Sequence, residues 1–297
     1  MKKIVALLLA GVMVFACVGC GSNGGDASSN AENSSNVEDT DASVEDSSNV
    51  EDTDANVEDS SDVEDADTDS EDSSDAEAAG TKSEGVMSYD EYMAADLDTE
   101  VVVETYVQAK QSWWEDKATV YTQDEDGAYF LYNMACSEED YEKLTLGTKI
   151  KVTGYKSEWS GEIEIIDATF EIEDGNYVAK AEDVTSLLGT DELIDHQNKF
   201  VSFKGMTVEA AGQDESGNDV AYLYSWDGSG QEGDDLYFNV SLDGNTYTFT
   251  VESYLCDSST EVYAAVKNLN IGDTIDMEGF LYWYEGVNPH ITSVKVK

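Results

Sequence analysis

Histidine is almost missing from the 297 residues: His196 and His290 stand alone. Neither has a cysteine or a second histidine at ligand spacing, so no zinc site is expected. Cysteine is nearly as scarce, with Cys17 and Cys20 near the start and only Cys136 and Cys256 beyond them. GxSxG, a phosphate loop and a Cys/His pair for nucleophilic chemistry are all lacking. A pair of glycosidase-type carboxylates cannot be singled out among 65 Asp and Glu. No enzyme activity, cofactor or metal is therefore expected. "TQDEDG" at 122–127 superficially resembles a calcium loop, but a twelve-residue loop starting at Thr122 would end on Asn133 where a bidentate Glu is needed. Asp124, Glu125 and Asp126 read better as a solvated turn.

Positive charge is short as well: 15 Lys and Arg leave a net charge of −50. Residues 21–85 hold 22 Asp and Glu against one Lys and no aromatic residue. Such a segment cannot bury enough apolar surface to offset its backbone entropy and is expected to be disordered. It is a tandem repeat of 13 residues, "SNVEDTDASVEDS", "SNVEDTDANVEDS" and "SDVEDADTDSEDS". Self-repulsion makes it an extended spacer, roughly 215 to 235 Å at full stretch. This tail carries −21 and Lys2 and Lys3 carry +2, which leaves −31 on residues 86–297. That surface repels a phosphate backbone and offers no basic stripe, so nucleic acid is the least expected partner. Neutral sugars, peptides and basic proteins remain open.

The first twenty residues, "MKKIVALLLAGVMVFACVGC", have a basic start, an apolar run and a small-residue exit. This is the pattern of a secretory signal, too short in its apolar core for a dependable membrane span. Its end resembles a bacterial lipobox with Cys20 as the lipidated residue, Cys17 being the runner-up. More than one acyl chain is what stable anchoring requires, so the expected address is the extracytoplasmic face of the cell membrane.

The remainder is organised by a repeat. "LTLGTKIKVTGYKSEWSGEIEIIDATFEI" at 144–172 aligns without a gap to "LNIGDTIDMEGFLYWYEGVNPHITSVKVK" at 269–297, pairing Gly154 with Gly279 and Ile150 with Ile275. Before the first copy come a capped helix at "SYDEYMAA", with Ser88 three residues before Glu91, then β-branched and aromatic runs around 101–107, 118–123 and 128–135. "SEEDYEKL" reads as a second capped helix opening at Ser137. Within the copy, Ile150, Val152 and Gly154 share one face. Ile163 and Ile165 then fall out of phase with Ile166, Ala168, Phe170 and Ile172, which predicts a bulge. Three strands, a helix and two strands is the order of the OB-fold, a five-stranded Greek-key barrel.

The chain therefore reads as mainly β: two tandem five-stranded OB-like barrels, each with short helices, after a disordered acidic linker. The expected divisions are a signal at 1–20, the linker at 21–85, a first barrel at 86–174, a connector at 175–189 whose "DVTSLLG" packs between domains, and a second barrel at 190–297. In the second unit "TDELIDHQNK" mirrors the first helix, residues 210–235 insert an extra hairpin or binding loop, and "LYFNVSLDGNTYTFTVESYLC" is a hairpin turning at Asp243 and Gly244. Cys136 and Cys256 end equivalent strands; an exported chain would let them pair, but equivalent positions in consecutive barrels usually lie far apart, so buried free thiols are the expected state and a disulfide the alternative.

"YVQAKQSWWEDKATVY", "GAYFLYNMACSEEDY" and "LGTKIKVTGYKSEWSGEIEI" resemble a family of Gram-positive surface lipoproteins built from tandem OB-like domains behind an acidic linker. The family has no assigned activity, so the resemblance implies a fold and an address and no catalytic residues. What function there is falls to the aromatic loops. In OB-folds the first and last strand connections border the ligand groove. Here they hold Trp113 and Trp114, Trp159, and in the second unit Tyr282, Trp283 and Tyr284. At most one of Trp113 and Trp114 can be core, because neighbours on a strand face opposite ways. Exposed rings would stack on sugars or peptide groups; the competing reading is that they pack across the hairpins or between barrels. The expected function is a lipid-anchored binding or scaffolding module for glycan or peptide, with a purely structural envelope protein or a nucleic-acid-binding OB protein as alternatives.

Overall fold

A computed structural model describes residues 82–297. The signal, Cys17, Cys20 and nearly all of the acidic repeat lie outside the described residues.

The folded part opens with α1 (Tyr89–Ala94). Ser88 Oγ accepts the Glu91 N–H and Glu91 Oε2 accepts the Ser88 N–H at 2.9 Å, the reciprocal cap that the sequence implies. Then come β1 (Glu100–Lys110), β2 (Lys117–Gln123), β3 (Ala128–Ala135), α2 (Glu138–Lys143), β4 (Thr148–Trp159) and β5 (Glu162–Asn176). They form a closed barrel in the order β1-β2-β3-β5-β4, with β4 returning to β1. The β3–β5 pairing alone is parallel. A helix bridging the third and fourth strands of such a ring is the OB arrangement.

The second unit repeats it. β6 (Glu182–Asp183), a 3₁₀ segment at Asp191–His196, β7 (Phe200–Glu209), β8 (Gly212–Gln213), β9 (Asp219–Val220), β10 (Tyr222–Tyr224), β11 (Leu236–Leu242), β12 (Asn245–Val251), α3 (Glu261–Lys267), β13 (Thr274–Phe280) and β14 (His290–Val296) follow in order. The ring runs β7-β11-β12-β14-β13 and closes through β13–β7 and β11–β7. The protein is thus mainly β, two five-stranded barrels in tandem with short helices. The expected hairpin turns at Asp243 and Gly244, both at positive φ as a two-residue turn requires. Part of the 210–235 insertion forms the small β8–β9 hairpin and β10 adds to the edge of β11.

Two sequence features acquire a mechanical cause. The phase slip in β5 is a bulge: the β4–β5 register shifts between Thr153 and Tyr155, opposite Asp167, whose φ is 50°. β13–β14 shifts at the matching place, between Glu278 and Gly279. The aligned glycines sit at these crossings. A Cβ on Gly154 would lie 2.8 Å from the Ile166 carbonyl oxygen, and one on Gly279 would lie 2.2 Å from that of His290. Both strands bend where the backbone of the last strand touches them.

Each barrel has its own core. Val101, Val103, Val120, Leu131, Ile150, Val152 and Ile165 fill the first, and Val201, Phe203, Phe238, Val240, Phe249, Ile275 and Ile291 the second. The connector departs from expectation. Val184 and Leu188 join the second core instead of packing between barrels, because β6 pairs in parallel with β7 and carries them inward. The segment expected as a helix at 190–199 is 3₁₀, with no side chain capping its start. Cys136 and Cys256 are free and buried, as expected.

A third apolar cluster joins the units: Tyr121 and Phe130 from the outer face of β2–β3 against Phe280, with Phe200 and Tyr282 beside them. Tyr121 and Phe280 stack at 4.4 Å between centroids. Ser112 N–H donates to the Tyr254 carbonyl at 2.7 Å, Phe200 N–H to Gln123 Oε1 at 2.8 Å, and Glu285 N–H to the Ser160 carbonyl at 2.7 Å. No helix among the described residues is long and apolar enough to cross a membrane.

Candidate ligand groove

The outer face of β2–β3 is where OB-folds hold ligands. In the first barrel the second barrel covers part of that face; of two adjoining cavities, one of about 460 Å³ lies between the remainder and the second barrel, and one of about 720 Å³ runs from the end of β2–β3 onto β4 and β5. Both are lined by Lys117, Tyr132 and Asn133, so they form one groove. Each is within the roughly 300–1,000 Å³ of small-ligand sites. Tyr132 is half-exposed at the middle.

A tryptophan stands in each cavity. Trp114 is 67% exposed and lines the smaller; Trp159 is 61% exposed and lines the larger. Tight turns hold them. Trp114 N–H donates to the Lys117 carbonyl and Lys117 N–H returns the bond to Trp114 at 2.9 Å, across Glu115 and Asp116, both at positive φ. Trp159 pairs with Glu162 across Ser160 and Gly161, again both at positive φ. Such two-residue turns follow the strand twist and leave little freedom at their bases.

The other sequence-predicted aromatics divide. Trp113 turns away, donating its indole N–H to the Cys136 carbonyl at 2.9 Å. Trp283 packs at the joint and lines neither cavity: its backbone N–H donates to Glu162 Oε2 at 2.8 Å, and its ring lies so close to Gly161 that a Cβ there would come within 2.8 Å of Cδ1. For these two the packing reading holds: Trp113 is tied to the end of β3 in its own barrel, and docking of the barrels takes up Trp283 in the loop between β13 and β14. Tyr282 has a double part. It stacks on His290 at 4.4 Å, meets Phe130 edge-on, and lines the smaller cavity. Tyr284 is exposed and lines neither cavity, and nothing from the 210–235 insertion does.

Sequence reasoning misses the polar lining. His290 is buried and pairs through Nδ1 with the Tyr121 hydroxyl at 2.7 Å; burial lowers its pKa to about 3, so it is a neutral donor and acceptor. Glu252 accepts the Leu255 N–H at 2.9 Å and the Gln111 amide at 3.2 Å, and burial raises it to about 7. Glu164 lines the larger cavity, and burial alone raises it to about 7. Behind it Glu162 is fully buried and raised to about 9, chiefly by burial. Alternation in "GEIEIIDATF" places Glu162 and Glu164 together on the face away from Ile163 and Ile165, which is the one usable hint in the sequence.

The Asp124 turn is structural. Asp124 Oδ1 accepts the N–H groups of Asp126 and Gly127 at 2.8 Å, and its other oxygen pairs with Lys82. No cluster of three or more metal-ligating side chains occurs among the described residues.

No protein-family model matches the chain, and no curated protein matches it. Among solved structures it is similar to a murine DNA-binding protein bound with double-stranded DNA, at 11% identity and a TM-score of 0.30, covering 66% of this chain and 97% of that one. It is similar also to the p202 HIN1 domain with a 12-mer DNA duplex, at 13% identity, 0.31, and 69% and 96% coverage. A third is the Ifi202 HINa domain with a 20-base-pair duplex, at 13%, 0.29, and 68% and 96%. At these scores the likeness does not bear on what this chain binds.

Proposed function

We propose that the protein is a lipid-anchored extracytoplasmic binding module whose first barrel holds a glycan in the groove between Trp114 and Trp159. The carrying observation is that these two rings stand exposed on tight turns in adjoining cavities, with Tyr132 between them. Flat apolar rings give contact area at small entropic cost, and Asn133, Thr119 and Gln111 supply neutral hydrogen-bonding groups for hydroxyls. The signal-like start with Cys20 and the acidic repeat support an anchor and a spacer. Isothermal titration and a glycan array with the mature chain test the binding. The reading fails if no glycan binds, or if Trp114→Ala and Trp159→Ala leave binding intact.

Single-stranded nucleic acid is the second reading, because open rings on an OB face also suit stacked bases. Against it stand Glu115, Asp116, Glu164 and Asp167 with only Lys117 beside them in the larger cavity. Fluorescence anisotropy with single- and double-stranded DNA at low salt separates the two readings. Tight binding that weakens steeply with salt would favour nucleic acid.

A further inference from the structure

The groove is chemically lopsided. The smaller cavity is lined by aromatic rings, neutral amides and hydroxyls, the neutral His290, the Lys117 it shares with its neighbour, and Glu252, whose oxygens are already engaged. The larger cavity gathers Glu115, Asp116, Glu164 and Asp167 around Trp159, with Lys117 as its single cation. Clustered surface carboxylates alone say little, since such groups are well solvated. Glu164 is different: it is 7% exposed, it lines the cavity, and it makes no hydrogen bond or ion pair among the described residues. Its stem is covered while its carboxyl lies unpaired at the cavity wall, where an entering donor could meet it. Glu164 precedes the β5 bulge and Asp167 sits in it, and both line the cavity.

We propose that the larger cavity is a subsite for a protonated amine, and that the ligand of the groove is a glycan bearing free amino groups. This rests on the glycan reading above and sharpens it. An ammonium group entering the cavity would meet the Glu164 carboxylate, and the face of Trp159 suits a cation as well as a sugar ring. Burial leaves Glu164 raised to about 7 in the free protein; an adjacent positive charge restores the ionised form. Its proton leaves to solvent as the amine binds. An N-acetylated sugar has no charge to offer and would leave Glu164 as it is.

The test compares oligomers of glucosamine with N-acetylglucosamine oligomers of equal length, titrated calorimetrically into the mature chain at about pH 6, below the range of an ordinary amine. Glucosamine oligomers should bind about tenfold tighter, the worth of one modest charge pair. Repeating the titration in two buffers of different ionisation enthalpy should reveal proton release for them alone. Glu164→Gln should abolish both differences. Asp167→Asn, at an exposed position whose φ of 50° asparagine tolerates, should weaken the preference several-fold and stands in if Glu164→Gln does not fold. Equal affinity for both oligomers, lost in Trp159→Ala, would overturn the amine subsite and leave the glycan reading standing. Binding of neither would overturn both.

Discussion

Trp114 and Trp159 hold the same position in two different turns: each is the residue before a pair of positive-φ residues that reverses the chain, Glu115 and Asp116 in one case and Ser160 and Gly161 in the other. Two loops unrelated in sequence thus present one side chain in the same rigid way, on the two cavities of one groove. Replacing either ring by alanine removes exposed surface and no core contact. Each variant should keep the parental melting temperature while weakening glycan binding about tenfold or more, roughly 1.4 kcal/mol. Calorimetry paired with thermal melting reads both quantities.

Trp283→Ala should behave in the opposite way. Its half-buried ring packs against the second core and Gly161. Its loss should cost about 2 kcal/mol, less than a fully buried tryptophan. Chemical denaturation would show the drop, with glycan affinity at saturating folded protein changed little.

The joint between barrels should make stability depend on pH. Glu162 Oε1 and Asn198 Oδ1 are both buried without a partner. A protonated Glu162, raised from the ordinary 4.5 to about 9, has one proton to give there. Its contribution is full below about pH 4.5, where the unfolded carboxyl is also protonated, and is lost as pH rises towards 9. Glu164 and Glu252, raised to about 7, act in the same direction. His290, lowered to about 3, acts in the other, its contribution shrinking as pH falls from 6.5 towards 3. Glu162→Gln keeps a donor and an acceptor in place. It should match the parent near pH 5 and melt higher than the parent near pH 9.

Removing the Tyr121 hydroxyl leaves His290 Nδ1 unpaired in a buried joint. Tyr121→Phe should therefore lower stability by about 1–3 kcal/mol although it retains the stack on Phe280. Urea titration of parent and variant at neutral pH measures it.

Burial raises the Cys136 thiol to about 11 and the Cys256 thiol to about 12. Neither should react with a thiol-alkylating reagent at neutral pH in the native protein, and both should react in denaturant. Mass spectrometry before and after unfolding counts the adducts, and an intact disulfide would show as two missing ones.

The parts of the fold set by local rules were legible in the sequence. Ser88 and Glu91 announced a cap, the phase change after Ile165 announced the bulge at Asp167, and the spacing of Gly154 and Gly279 matched two barrels crossing their last strands alike. What depends on docking was not. Trp159 and Trp283 lie in equivalent connections, yet one faces solvent and the other is consumed by the joint. Glu164 has the alternation of a solvated strand position, yet it is buried between its strand neighbours Phe130 of β3 and Ser157 of β4. No periodicity records a neighbour more than a hundred residues away.

The covering of the β2–β3 face by Phe280 has a consequence for stoichiometry. A chain with two like barrels suggests two equivalent sites, but here the second barrel is spent in part as a wall, giving Glu252, Tyr254, Tyr282 and His290 to the groove of the first. On the proposed reading the two barrels together make one composite site, and a titration should saturate at a single ligand per chain.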